Sequence, residues 1–475
     1  MARPRTRREA LRETAGGLGA IALGALLGEN ARAAEHASPG FYNLLPKKPH
    51  HAPKAKRVIF IYISGGPSTI DMFDPKPALM KYDGKPAPFE IKGRALNGSQ
   101  QVLASPWKFS RAAKSGRPVS ELLPNFLTVA DDVAFVRSMT TDRIDHSTAQ
   151  FTFATGRGFT GFPSLGSWIS YGLGTENQNL PAFIALETGG ATIQTRAYSS
   201  AWLPPIFSGT KMSSSSEAPM YDIARPADMS ADEQSQLVRI AGALNRRQKR
   251  EYPLDQDLES RIANYELAAR MQLAAMDAAD ISKESEATKK LYGLDDKIAG
   301  PFSRNCLLAR RLAESGVRFV TLISGTGGGA GWDTHSNIRG SLPGLCASID
   351  RGMTALLVDL KSRGMLEDTL VVWSGEFGRL PTIEAATAQP GRDHNPYGFS
   401  MWMAGAGVNP AADYGDTDEL GYAAIKDYRL THSDIHATIQ HLVGLDFKKN
   451  TYLYEGRDES LVGVNPARVV KEILA

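Results

Sequence analysis

"RVIFIYISGGPS", Arg57 to Ser68, decides the fold. Six apolar residues, Val58–Ile63, run without alternation and stop at Gly65-Gly66-Pro67. A strand with one wet face alternates apolar and polar side chains, whereas a strand buried on both faces of a parallel sheet does not. The same pattern returns in "DDVAFVRS" (131–138), "PAFIALE" (181–187), "GVRFVTLIS" (316–324), "DTLVVWSGE" (368–376) and "FSMWMAG" (399–405). Helical stretches lie between several of them, such as "SIDRGMTALLVDLKSRG" (348–364), whose apolar residues fall near the 3.6 period. The alternation predicts an α/β fold: a mainly parallel central sheet flanked by helices, over residues 57–475.

Outward from that body the chain changes character. Residues 208–298 begin as a polar loop, "SGTKMSSSSEA", and continue charged, Ala/Leu-rich and helical, which reads as a helical insertion or an outer helix pair. Residues 34–56 are Pro- and Lys-rich and read as a linker or surface arm, with His50 and His51 solvated. Residues 1–33 join an arginine-rich start, a short apolar run from Gly16 to Leu27, and small residues at Ala31 and Ala33. That is the pattern of an export signal, too short to span a bilayer, and Arg7-Arg8 followed by Leu11 matches a twin-arginine leader. The expected location is periplasmic or extracellular.

The 475-residue chain carries a formal charge of +3, all of it within residues 1–33. The rest balances 48 basic against 48 acidic residues, so net charge gives no support for nucleic-acid binding. No second apolar run is long enough to span a membrane. Two cysteines, Cys306 and Cys346, are too few for a disulfide scaffold or thiolate cage; they form either one bridge or a pair of buried thiols.

Ligands of doubly wound sheets bind outside the carboxyl ends of the strands. Here those ends carry polar groups. "DHSTAQFTFATG" (145–156) opens with His146, "GWDTHSN" (331–337) holds Asp333 and His335, Glu376 ends its strand, and "GRDHNPYG" (391–398) holds Asp393 and His394. A chain with only nine histidines thus places three of them, with three carboxylates, at strand ends. Mixed imidazole and carboxylate ligands suit a divalent metal, zinc or manganese rather than calcium.

"GGPSTIDMFDPKP" (65–77), "GWDTH", "WSGEFGR" (373–379), "GRDHNPYGFSMWMAGAGV" (391–408), "GDTDELGY" (415–422) and "HSDIHATIQHLVGLD" (432–446) together resemble a bacterial exported family. It is known as a domain of unknown function within the alkaline phosphatase/sulfatase-like superfamily, and the resemblance runs from Arg57 onward. It implies that Glu376 takes the place of a sulfatase metal-binding aspartate, with Phe377 at the neighbouring Asn/His position. Asp434 is then structural. Counting back from Thr155-Gly156 puts His146 where sulfatases carry their nucleophile and Gln150 where they carry an arginine. A histidine there binds metal or an anion, carries phosphate covalently, or is structural. The usual aspartate after the first strand is replaced by Ser64-Gly65-Gly66; Asp71 or Asp74 could substitute, although helix capping is the plainer role for Asp71.

The resemblance implies a metal-dependent hydrolase of sulfate or phosphate esters, with a sulfated glycan among the candidate substrates. Ser68, Thr69 and Ser147 are hydroxyl nucleophile candidates, and a metal-activated water is the alternative. Arg379 or Arg392 would contact the anion, or else pair with carboxylates. The competing reading is a catalytically silent member that binds an anionic glycan or a partner protein.

Overall fold

In the computed structural model the described residues are 44–88, 90, 101–188, 197–214, 229–252, 262, 267–268, 271, 275–325 and 331–475. The segment expected to be an export signal, the first part of the arm and much of the expected insertion lie outside them. The sheet is built from β1 (Arg57–Ile63), β2 (Val133–Thr140), β3 (Phe183–Thr188), β4 (Thr210–Met212), β5 (Phe319–Ser324), β6 (Thr369–Gly375) and β9 (Phe399–Ala404). Strands β7 (Gly378–Ile383) and β8 (Arg392–Asn395) form a separate antiparallel hairpin. The order across the sheet is β2-β9-β6-β1-β5-β3-β4, with short strands at Asp413–Tyr414 and Leu430–Thr431 alongside β2. All neighbours run parallel except β9, which is antiparallel to both β2 and β6.

β1 shows why its sequence does not alternate. Ile59, Ile61 and Ile63 enter one hydrophobic core, while Val58, Phe60 and Tyr62 enter the other. The first core is roofed by α4 (Gly300–Glu314) and α5 (Ile338–Ser362) through Leu307, Ile349, Met353 and Leu356. The second is roofed by α1 (His146–Thr155), α2 (Leu165–Leu173) and α6 (His432–Leu442) through Ala149, Phe153, Ile169 and Ile439. The result is three layers. Each fully buried aliphatic or aromatic side chain of such a strand contributes about 1.5–3 kcal/mol.

Helix ends are set by local chemistry. Asp145 caps α1 by accepting from Thr148 N at 3.0 Å, and Gly156 ends it in the left-handed region. Asp434 and Thr431 form a capping box at α6, and Asp434 also accepts from Arg468 N.

The structure adds detail to the arm, the inserted segment and the cysteines. The arm is strapped to the body: His50 N and His51 N donate to Gly444 O, His50 Nδ1 accepts from Asp446 N, and His51 stacks near His441 at 4.6 Å. Lys47 Nζ donates to Tyr171 O at 2.6 Å, and burial lowers its pKa to about 8. Thr210–Met212 pairs with β3, so the sheet extends into the segment assigned to the insertion. Beyond it, α3 (Ala231–Glu251) starts at a capping box of Ser230 and Glu233. Cys306 and Cys346 are buried free thiols. No described helix is long and apolar enough to cross a membrane.

Candidate metal centre

The carboxyl ends of the parallel strands converge on one cluster. The loop after β2 leads to His146 at the first position of α1, and the segment after β5 carries Asp333 and His335. Glu376 follows β6, and β8 carries Asp393 and His394. Glycines allow the close approach. Gly65 has φ +120°, and a Cβ there would sit 2.9 Å from Asp333 N; one on Gly66, φ +67°, would strike the Phe377 ring.

Every histidine of the cluster is fixed by its Nδ1. His146 Nδ1 lies 2.7 Å from Glu376 Oε1, and His394 Nδ1 donates to Ile144 O at 2.6 Å. His335 Nδ1 pairs with Glu384. The Nδ1 atoms of His146 and His394 are thereby committed, His335 Nδ1 meets Glu384 as an ion-pair contact, and the Nε2 atoms are left as ligand atoms. The three Nε2 atoms meet at one carboxylate oxygen. Asp333 Oδ1 is 2.7 Å from His335 Nε2, 3.1 Å from His146 Nε2 and 3.2 Å from His394 Nε2, and the last lies 3.0 Å from His335 Nε2. His146 Nε2 is buried and faces Asp333 Oδ1.

This donor set fits a divalent cation. Ligands about 2.0–2.1 Å from a tetrahedral zinc lie about 3.3 Å from one another, close to the separations found here. Three imidazoles and one carboxylate favour zinc or manganese over calcium. The cluster side chains are about a quarter exposed except His394, so the site opens to solvent on one side. Phe377, fully buried, packs 4.9 Å from the His146 ring and 4.4 Å from the His394 ring and closes another.

Electrostatics follow from the same contacts. Burial disfavours a charged His146, but hydrogen bonds and attraction from Asp333 and Glu376 outweigh it and raise its pKa to about 9. Burial would raise the Asp333 carboxyl; the three histidines and Arg379 outweigh it and hold it far below the usual range. His394 falls to about 4 through burial, with help from its cationic neighbours Arg379 and His146. In the absence of a cation, a proton on His146 compensates the carboxylates.

Two expected ligands stand behind the histidines. Glu376 is fully buried, holding His146 Nδ1 while accepting from Tyr62 OH at 2.8 Å and from Gly65 N at 3.0 Å. Its carboxyl stays lowered despite burial because of His146, and Tyr62 is pushed well up by burial and by Glu376, which keeps the phenol a donor. Asp393 accepts from His394 N at 2.7 Å and lies 4.0 Å from His335 Nδ1. With His335 and Glu384 it forms a second, overlapping group of potential ligands. Gln150, buried in α1, places Nε2 3.4 Å from both Glu376 Oε1 and Ser64 Oγ.

Of the two roles open to the arginines, the structure shows pairing with carboxylates. Arg379 is 1% exposed and spans Asp333, Gly65 O, Gly66 O and Arg392 O. Arg392 is fully buried and pairs with both oxygens of Asp71, at 2.8 and 3.0 Å, besides Leu103 O and Leu380 O. Neither guanidinium reaches solvent, so neither is positioned to meet a substrate anion. Asp71 is therefore an ion-pair partner rather than a cap. Ser68 donates to Asp71 at 2.6 Å and is fully buried; Thr69 Oγ1 accepts from Ser400 N. Asp74 accepts from Thr417 and pairs with Lys76, away from the histidines' Nε2 atoms. Ser147 is exposed in the first turn of α1, beside His146.

A family model described as a protein of unknown function, DUF1501, matches residues 55–474. The chain belongs to the DUF1501 family. Among solved structures, this DUF1501 protein is similar to a protein of the alkaline phosphatase superfamily from Vibrio parahaemolyticus. That match has 10% identity and a TM-score of 0.38, and covers 89% of this chain and 75% of that one. It is also similar to the PsFucS1 sulfatase from Pseudoalteromonas sp., at 11% identity, with 88% and 72% covered and a TM-score of 0.36. The alkaline phosphatase from the Antarctic bacterium TAB5 matches at 11% identity, with 84% and 99% covered and a TM-score of 0.34. Curated protein sequences give no match.

Sequence reasoning missed Glu384 and Tyr62. Tyr62 sits in an apolar strand and reads as core, and Glu384 lies in "PTIEAATAQP", which carries no recognisable spacing. Glu384 arrives beside His335 because β7 and β8 pair as a hairpin, with Arg392 opposite Ile383.

Proposed function

We propose that this DUF1501 protein is an exported metal-dependent hydrolase of phosphate or sulfate esters. The observation that carries the reading is the convergence of three Nε2 atoms on Asp333 Oδ1, with a carboxylate or carbonyl oxygen beside each Nδ1. His146, Asp333, His335 and His394 would hold the cation; Glu376, Glu384, Asp393 and the Ile144 carbonyl would orient them. A divalent ion held there supplies Lewis acidity toward an ester oxygen and lowers the pKa of water bound to it.

The chain's own residues do the rest. Arg379 anchors Asp333 against the Gly65-Gly66 turn, and Glu376 holds His146 through a ring nitrogen that faces away from Asp333. Phe377 excludes water from one side of the imidazoles. Ser147 is the exposed hydroxyl among the three candidates; the other two are engaged in the fold.

The test is turnover of aryl phosphate and aryl sulfate esters by the purified chain loaded with zinc or manganese, with and without a chelator. Chelator-sensitive release of the phenol from either ester supports the reading. Metal bound at stoichiometry without turnover of any ester would replace it with the binding-protein alternative.

A further inference from the structure

A concavity of about 610 Å³ is lined by segments that lead into the metal cluster. Its rim includes Asp142 and Arg143, just before the Ile144 carbonyl that holds His394, and Tyr397, three residues after His394. Thr141 N donates to Pro396 O at 2.9 Å, tying the two rims together. The volume lies within the range of about 300–1,000 Å³ that takes a drug-sized ligand. None of the four converging metal-site residues lines it.

Three arginines line this cleft against one aspartate, Asp142. Arg157 is spent on the fold: it donates to Val462 O at 2.6 Å and pairs with Glu459 at 3.6 Å. Arg429 donates only its Nε, to Ala424 O at 3.1 Å, so its terminal amines make no protein hydrogen bond among the described residues. Arg143 packs its guanidinium over Gly158, where a Cβ would lie 2.6 Å from it, and its charged neighbour among the described residues is the exposed Asp142 at 3.3 Å. The cleft thus presents a net cationic surface. It also presents rings: Tyr397 and Tyr422 lie 5.3 Å apart, and Phe159 is 59% exposed. Hydroxyls of Thr141, Thr431 and Ser433 complete the lining.

We propose that this cleft binds an acidic saccharide, so that the ester processed at the adjoining metal cluster belongs to an oligosaccharide bearing a further sulfate or carboxylate. Guanidinium forks match both anions, aromatic faces pack against the apolar face of a sugar ring, and short hydroxyls serve its hydroxyl groups. Metal chemistry would act on one residue of the chain while the cleft holds its neighbour. The link to ester cleavage rests on the function proposed above; the saccharide binding itself does not.

Calorimetric titration of the purified full chain separates the two. The probes are a heparin-derived tetrasaccharide, tetragalacturonate and neutral cellotetraose. The wild type is expected to bind at least one anionic probe, more weakly at higher salt, and to bind cellotetraose at least about tenfold less tightly. Arg429→Gln and Tyr422→Ala, each with an unchanged circular dichroism spectrum, should each weaken the anionic probe about tenfold. Binding of the heparin fragment alone assigns a sulfated neighbour, and of tetragalacturonate alone a uronate. His335→Ala should keep this affinity while losing metal; metal-loaded wild type that binds the probe but turns over no ester would sink the hydrolase reading and leave the cleft standing. No binding of either anionic probe, equal binding of cellotetraose, or unchanged affinity in both cleft variants would overturn the proposal.

Discussion

His335 Nε2 lies 3.0 Å from His394 Nε2, and both face the same oxygen of Asp333. Two neutral imidazole lone pairs at that distance repel unless a proton or a cation stands between them. Cation binding therefore relieves a strain that the fold imposes, and it should stabilise the folded state. Zinc or manganese at a hundred times its Kd is expected to add about 2.7 kcal/mol by mass action. Differential scanning calorimetry should show a higher Tm with added metal and a lower one with chelator. A Tm indifferent to both would contradict this.

Glu384 fixes the His335 ring without being one of the four converging ligands. Glu384→Ala should leave the metal stoichiometry at saturation unchanged but weaken affinity by about 10–100-fold, the usual cost of losing such an orienting partner. Competition against a chromophoric chelator reads this directly. Unaltered affinity would mean that His335 is held by other contacts.

Arg392 and Asp71 form a fully buried pair far from solvent. Removing one partner leaves the other charged and unpaired, which costs about 3–5 kcal/mol. Arg392→Ala should therefore lower stability in urea titration by that order while residual folded protein still takes up metal. An equally stable variant that loses ester turnover would restore Arg392 to the substrate site, contrary to its burial.

His436 is 2% exposed and donates from Nε2 to Phe153 O at 2.8 Å. Burial, with the neighbouring His432, lowers its pKa to about 3. The unfolded chain holds this proton at an ordinary histidine pKa of about 6.5, so between those values the unfolded state binds more protons and stability rises with pH. The contribution is complete above about pH 6.5 and is lost as pH falls toward about 3. His436→Gln should flatten the dependence of unfolding free energy on pH between about 4 and 6 by up to about 1.4 kcal/mol per pH unit. An unchanged slope would show that His436 is already solvated.

The strands were legible because a parallel sheet covered on both faces needs unbroken apolar runs, and Val58–Ile63 serves two cores at once. The reversed direction of β9 was not, since "FSMWMAG" reads the same in either sense. His146, Asp333, His335 and His394 stood out through the scarcity of histidine and their position at strand ends. Glu376 and Asp393 were found as residues but not as orienting groups, because which side of an imidazole a carboxylate meets is a tertiary fact. Arg379 and Arg392 suggested anion contacts in the sequence. Only their burial against Asp333 and Asp71 shows that both are spent within the fold.

Metal content by inductively coupled plasma mass spectrometry, on freshly purified wild type and on His335→Ala, tests the central claim most directly. Stoichiometric zinc or manganese is expected in the wild type, and its loss in the variant, with circular dichroism unchanged. Wild type that carries no metal and takes none up on titration, or a His335→Ala variant that keeps it, would contradict a metal centre built on Asp333 and the three histidines.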